Sequence, residues 1–265
     1  MISLSSPIGV FDSGVGGLSV LRAIRSSLPG EKVIYAADQG HVPYGPRSLA
    51  EVRAFSAEIT RFLLARGAKL IVVACNTASA AALHFLRGEF PDVAFVGMEP
   101  AVKPAAETTR SGVVGVLATP ATFQGELYAS VVERFAQGVV LLQDTCPGLV
   151  AQIEQGALDG PETRRILEQA LAPMLARGAD TLVMGCTHYP FVIPLIQAIA
   201  GPGVRVIDPA PAIARQVERV LTARGLLNPA PGPVPVEFFT SGDPDGLQSL
   251  LPRLFGESAP VERWS

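Results

Sequence analysis

An internal repeat constrains this chain more than any other feature. The apolar run Leu70-Ile-Val-Val-Ala74 delivers Cys75 onto the polar pair Asn76-Thr77, and about 110 residues later Leu182-Val-Met-Gly185 delivers Cys186 onto Thr187-His188. The leaders match as well: Arg66-Gly67-Ala68 lies nine residues before Cys75, and Arg177-Gly178-Ala179 lies nine before Cys186. At nearly the same offset Val96-Gly-Met-Glu-Pro-Ala101 answers to Arg205-Val-Ile-Asp-Pro-Ala210, and Gly9-Val-Phe-Asp-Ser13 answers more loosely to Gly115-Val-Leu-Ala-Thr119. The chain therefore reads as a duplicated α/β half, each copy ending one strand in a cysteine.

Apolar runs and helical periodicities alternate along the whole chain. Short strands are expected at Ile8–Phe11, Lys32–Ala37, Leu70–Ala74, Val93–Gly97, Val113–Leu117, Val139–Leu142, Thr181–Met184, Val204–Ile207 and, last, Val236–Thr240. Helices are expected between them: Leu18–Ser27, one capped by Ser48, Thr77–Phe85, Ala101–Glu107, Phe123–Phe135, a segment opened by Cys146-Pro147-Gly148, Pro161–Ala176 and Ile213–Leu221. This alternation predicts an α/β fold of two pseudo-symmetric doubly wound domains with mostly parallel sheets. In such folds ligands bind at the carboxyl ends of the strands. Asp12, Cys75, Thr119 and Cys186 all sit there, so the active site is expected in the cleft between the halves.

The totals exclude several functions. With 265 residues, 48% of them hydrophobic and 17% charged, the chain can bury a large core and is not disordered. A net charge of −3 supplies no global basic field, so neither nucleic acid nor an anionic membrane is an expected partner. The N-terminal stretch lacks a signal-peptide pattern and no apolar run reaches membrane-spanning length, which predicts a cytoplasmic protein. Three cysteines do not make a disulfide framework, and only three lysines, Lys32, Lys69 and Lys103, could serve a pyridoxal Schiff base.

A cysteine at a strand end that runs straight into a helix faces the positive end of the helix dipole and should lean toward thiolate. Two such cysteines, Cys75 and Cys186, suit a planar carbanion approached from both faces: one thiolate removes a Cα proton and the opposite thiol supplies one. Asp12 and His188 are candidates to tune the two thiols. Asn76, Thr77, Thr119, Thr122 and Thr187 offer donors for carboxylates, and Asp12 could answer an ammonium. Cys146 has no twin and reads as structural. Glu154, on a helix, would by itself read as a solvated face.

Other constellations fit less. Asp12-Ser-Gly14-Val-Gly16-Gly17 is a glycine-rich turn between strand and helix, a ready anion cradle, and with Asp38 it approaches a dinucleotide fingerprint, but the third glycine is Ser19. No Gly-Lys-Ser/Thr follows a glycine loop. Three histidines and three cysteines without a Cys-x-x-Cys pair argue against a closed metal site, so no metal is expected. A cysteine hydrolase built on Cys186 and His188 would leave Cys75 without a role.

The motifs Gly9-Val-Phe-Asp-Ser-Gly-Val-Gly-Gly17, His41-Val-Pro-Tyr-Gly-Pro46, Ala74-Cys-Asn-Thr-Ala78, Gly115-Val-Leu-Ala-Thr-Pro-Ala-Thr122 and Gly185-Cys-Thr-His-Tyr-Pro190 together closely resemble those of the glutamate racemases, in family order over about residues 7–210. Ser79 and His188 favour that branch over the aspartate racemases. One departure is Asp38-Gln39-Gly40, where the family more often reads Asp-Thr-Ala. The resemblance implies cofactor-independent interconversion of L- and D-glutamate, feeding peptidoglycan precursors, with Cys75 and Cys186 as the acid/bases. It implies Asp12 and His188 as assisting groups, Glu154 as a further candidate, and Asp12, Ser13, Pro43, Tyr44, Gly45, Asn76, Thr77, Thr187 and His188 as substrate contacts. It also implies a homodimer, and a C-terminal segment that returns to complete the first domain, with boundaries 1–98 plus 209–265 and 99–208. The readings left beside it are an aspartate or other two-cysteine racemase or isomerase, and a dicarboxylate-binding protein without turnover.

Overall fold

The computed structural model describes residues 2–264. It forms two compact units, one running to Met98 and resuming at Ala210, the other Glu99–Pro209.

In the first unit β1 (Ile8–Asp12), β2 (Val33–Ala37), β3 (Leu70–Val73) and β4 (Phe95–Gly97) are linked by α1 (Leu18–Ser27), α2 (Leu49–Ala65) and α3 (Asn76–Glu89). In the second, α4 (Val102–Thr108) precedes β5 (Val113–Ala118), followed by α5 (Pro120–Gln124), α6 (Glu126–Phe135), β6 (Val140–Asp144), α7 (Leu149–Glu154), α8 (Pro161–Ala176) and β7 (Thr181–Gly185). A 3-10 turn (Tyr189–Val192), α9 (Ile193–Ala200) and β8 (Arg205–Ile207) complete that unit, and α10 (Ala210–Ala223) returns to the first. The strand orders are β2-β1-β3-β4 and β6-β5-β7-β8, the same winding twice, and every pairing is parallel. Strands buried on both faces need continuous apolar runs, and β1, β2 and β3 are buried at every position.

The repeat has a local physical cause. Gly67 and Gly178 both stand at φ +81, donating to Leu64 and Leu175, while Ala68 and Ala179 reach back to Leu63 and Met174. These are paired Schellman caps, which end α2 and α8 alike and aim the following strands. Within the strands, Gly9 lies in register with Ile71 and Gly115 with Leu182. A Cβ would come within 2.9 Å of Ile71 Cδ1 at the first and 2.6 Å of Leu182 Cδ2 at the second, so each glycine lets its sheet pack closely.

Three expectations need correction. The helix expected over Phe123–Phe135 is broken into α5 and α6 at Gly125, whose backbone is extended. The helix after Cys75 runs to Glu89 rather than Phe85. Val236–Thr240 is not the last strand: after it (β9) come α11 (Pro244–Leu254) and β10 (Val261–Arg263), which extend the first sheet in the order β10-β9-β2. The α11 signal was readable, because Asp243 caps the helix ahead of Pro244, and Leu247, Leu251 and Leu254 mark one buried face. Three residues of β10 are too few for a periodicity to show.

Lys69 and Glu31 form a buried ion pair at 2.6 Å in the first unit. The Lys69 ammonium also donates to the carbonyls of Leu4 and Leu226, and Glu31 accepts from the Asn228 N–H. This joins the N-terminal segment, β3 and the connector after α10. Lys69→Ala leaves Glu31 buried without its cation and is expected to cost about 3–5 kcal/mol of stability, read by urea unfolding; a loss below about 1 kcal/mol, the scale of an exposed pair, would contradict this assignment. No helix among the described residues is long and apolar enough to cross a membrane.

Candidate active site

In the first unit β1 and β3 are neighbours, paired to Phe11↔Val73, so Asp12-Ser13 and Cys75 leave the sheet side by side. Cys75 takes an extended backbone as the N-cap of α3, and its Sγ accepts the Ala78 N–H at 3.4 Å. The Cys75 thiol lies 3.7 Å from Ser13 Oγ, and Ser13 Oγ lies 3.5 Å from Asp12 Oδ1. Asp12 is fully buried and is held from the other side by the Gly17 N–H at 2.6 Å. Gly17 is required there, since a Cβ would stand 2.7 Å from that of Asp12.

One expectation is overturned at this corner. In the glycine-rich turn Gly17 serves Asp12, and the N–H groups of Leu18 and Ser19 close turns onto Val15 and Gly16. Cys75 does not lean toward thiolate. Burial first, and then the charge of Asp12, push its pKa well above the ordinary thiol value, against the smaller pull of the Ala78 N–H. The magnitudes explain the outcome: a helix terminus contributes about 0.3–1 kcal/mol, less than one pKa unit, whereas full burial moves a group by several.

Asn76 and Thr77, the first residues of α3, are buried, and both polar atoms of the Asn76 side chain lack a hydrogen-bond partner among the described residues. A buried amide with donor and acceptor both open is costly unless a ligand completes it. The Pro43-Tyr44-Gly45 loop reaches the same corner: Tyr44, raised in pKa by burial and then by Asp38, also feels the charges of Cys75 and Asp12. Its hydroxyl donates to Asp38 Oδ2 at 2.5 Å. Asp38 accepts from His41 and Ser241 too, which leaves the acid of the dinucleotide reading engaged inside the protein.

In the second unit Ala118 pairs with Gly185, so Thr119 and Cys186 leave adjacent strands together. The Thr119 and Thr122 hydroxyls are 2.9 Å apart. Here the twin differs: Cys186 is followed by a turn through Thr187 and His188 and then by the 3-10 turn, rather than at once by a helix. What faces this thiol is His188, whose Nδ1 lies 3.7 Å from Cys186 Sγ. The other ring nitrogen lies 2.5 Å from Oε1 of Glu154, the last residue of α7. Burial opposes charge on His188, but hydrogen bonds to Cys186 and Glu154 and the Glu154 charge outweigh it and raise the imidazole well above its ordinary value. Glu154 is therefore no solvated helix residue; it orients and charges the imidazole beside the thiol.

Sequence reasoning missed two neighbours of Cys186. Tyr189 is fully buried, donates to the Thr145 carbonyl at 3.1 Å, and is raised in pKa by burial and by the charges of Cys186 and Cys146. Cys146 is itself buried in a turn at φ 44, its N–H on Asp144, and burial followed by Asp144 raises its thiol. Tyr189 stands inside the Gly185–Pro190 motif, three residues from Cys186, whereas Cys146 has no motif and comes near only because α7 folds against the 3-10 turn.

Duplicated halves, each presenting a buried thiol at the end of its third strand beside a carboxylate or an imidazole, define an arrangement for thiol acid–base chemistry at carbon. Residues 8–217 match the Asp/Glu/Hydantoin racemase family, and the chain belongs to that family. It is 54% identical to the glutamate racemase of Roseiflexus sp. (strain RS-1) over 94% of this chain and 92% of that one. Among solved structures it is similar to Escherichia coli glutamate racemase in complex with L-glutamate and the activator UDP-MurNAc-ala (33% identity, TM-score 0.84, 98% of each chain). It is similar also to glutamate racemase from Francisella tularensis in complex with D-glutamate (29% identity, TM-score 0.84, 99% of this chain and 98% of that one).

Proposed function

We propose that this chain interconverts L- and D-glutamate by two-base proton transfer at Cα, supplying D-glutamate for peptidoglycan synthesis. The observation that carries the reading is the repeated placement of a thiol: Cys75 and Cys186 occupy the same position in two identically wound sheets, and each has its own assisting group. One thiolate takes the Cα proton of one enantiomer while the other thiol delivers a proton to the opposite face, and the roles exchange for the reverse reaction.

The neighbours supply the rest. His188, charged by Glu154, stands against the Cys186 sulfur as its assisting group. Asp12 raises Cys75, and the ammonium of glutamate set against Asp12 cancels that charge, so substrate binding itself eases ionisation of the thiol. The open amide of Asn76, with Thr77, Thr119, Thr122 and Thr187, suits the two carboxylates.

In deuterated water, D-glutamate formed from protiated L-glutamate should carry solvent deuterium at Cα, detected by mass spectrometry or proton NMR. Product that retains the original hydrogen would refute proton transfer through exchangeable thiols. Tight glutamate binding without any exchange would leave a dicarboxylate-binding protein instead.

A further inference from the structure

The departure Asp38-Gln39-Gly40 lies against a segment some two hundred residues away, the turn that ends β9. The Gly40 N–H donates to Ser241 Oγ at 2.9 Å, and that hydroxyl donates to Asp38 Oδ1 at 2.6 Å. Thr240 Oγ1 donates to Gln39 Oε1 at 3.1 Å and accepts the Gly242 N–H at 3.0 Å. Ser241 N–H donates to the Ala37 carbonyl. The two segments approach closely, and most tightly at Gly242. A Cβ on Gly40 would stand 3.0 Å from Ser241 Oγ and 3.2 Å from the Ser241 carbonyl oxygen, and one on Gly242 would stand 2.8 Å from Gln39 Cβ.

Asp38 carries this clamp onward. Its second oxygen takes the Tyr44 hydroxyl, His41 Nδ1 lies within 3.0 Å of both oxygens, and Arg47 donates to the His41 carbonyl. The loop thus hangs from one buried carboxylate whose orientation Ser241 helps to set. We infer that Ser241 is a positioning residue for substrate binding: through Asp38 and Gly40 it holds the Pro43-Tyr44-Gly45 loop in its binding geometry. The inference rests on the glutamate reading above and adds to it a determinant from the C-terminal segment.

The test compares Ser241→Ala and Ser241→Thr with the wild type in steady-state kinetics on both glutamate enantiomers, alongside thermal melting. Ser241→Ala is expected to raise KM about five- to tenfold with kcat within about twofold, as when binding common to ground and transition states is lost, and to melt close to the wild type. Ser241→Thr, which keeps the hydroxyl, should restore KM. An unchanged KM in Ser241→Ala, a collapse of melting temperature together with kcat, or failure of Ser241→Thr to restore KM would each overturn the assignment. A wild-type protein without solvent exchange at Cα would instead strike the underlying reading and leave the clamp untouched.

Discussion

Cys75→Ala and Cys186→Ala are each expected to lower racemisation by more than about a thousandfold in both directions, within the range over which a positioned acid or base acts. The argument is one of microscopic reversibility. The thiol that deprotonates one enantiomer must protonate the carbanion to form that same enantiomer in the reverse direction, so neither direction survives the loss of either group. Substitution should leave the fold intact, because it removes a single sulfur atom and, at Cys75, one helix-cap contact whose loss costs about 1 kcal/mol; circular dichroism and melting provide that control. Serine should not rescue either position, since its hydroxyl ionises far too weakly to act as the base. A single variant that retains wild-type turnover would rule out the two-base reading, and a large loss in one variant only would reduce the mechanism to one thiol.

The second large effect is expected at the Glu154–His188 pair. His188→Asn removes the charge that faces Cys186, and kcat/KM should fall about a hundredfold or more. Because the two enantiomers have equal free energy in water, kcat/KM must fall by the same factor for both, and any asymmetry of the Cys186 side will appear in kcat and KM taken separately. Glu154→Gln should follow in the same direction with a smaller effect, since it withdraws a charge at one remove from the thiol. A His188→Asn variant with unchanged kcat/KM would exclude His188 as an assisting group. Stability offers an independent reading of the pair. The folded-state value of His188 lies above the unfolded value of about 6.5. Its proton therefore contributes stability in full below that pH, and the contribution is lost as pH rises through the raised value. Unfolding free energies of wild type minus Glu154→Gln should thus shrink from pH 6 toward alkaline pH, and a difference that grows with pH would refute the charged pair.

Much of this was legible in the chain. The repeated Arg-Gly-Ala leaders are paired helix caps, the repeated glycines at 9 and 115 are paired points of close sheet packing, and both are local demands that leave a mark on sequence whatever surrounds them. The strand-end cysteines follow from the same register. Glu154 shows the opposite case: its spacing on a helix carries no sign of function, and it acquires one only because α7 ends against the His188 turn.

The sequence by itself determined the two doubly wound halves, the strands that end in Cys75 and Cys186, and the polar residues that follow them. These rest on periodicity, turn chemistry and register, which act over a few residues. Tertiary structure alone decided the ionisation of the site and its supports. It showed that burial and Asp12 oppose thiolate at Cys75, that Glu154 charges His188, and that Ser241 reaches Asp38 from the far end of the chain. The reason is physical: desolvation and charge pairing depend on what surrounds a group in space, and neighbours brought in from distant segments have no fixed spacing along the chain.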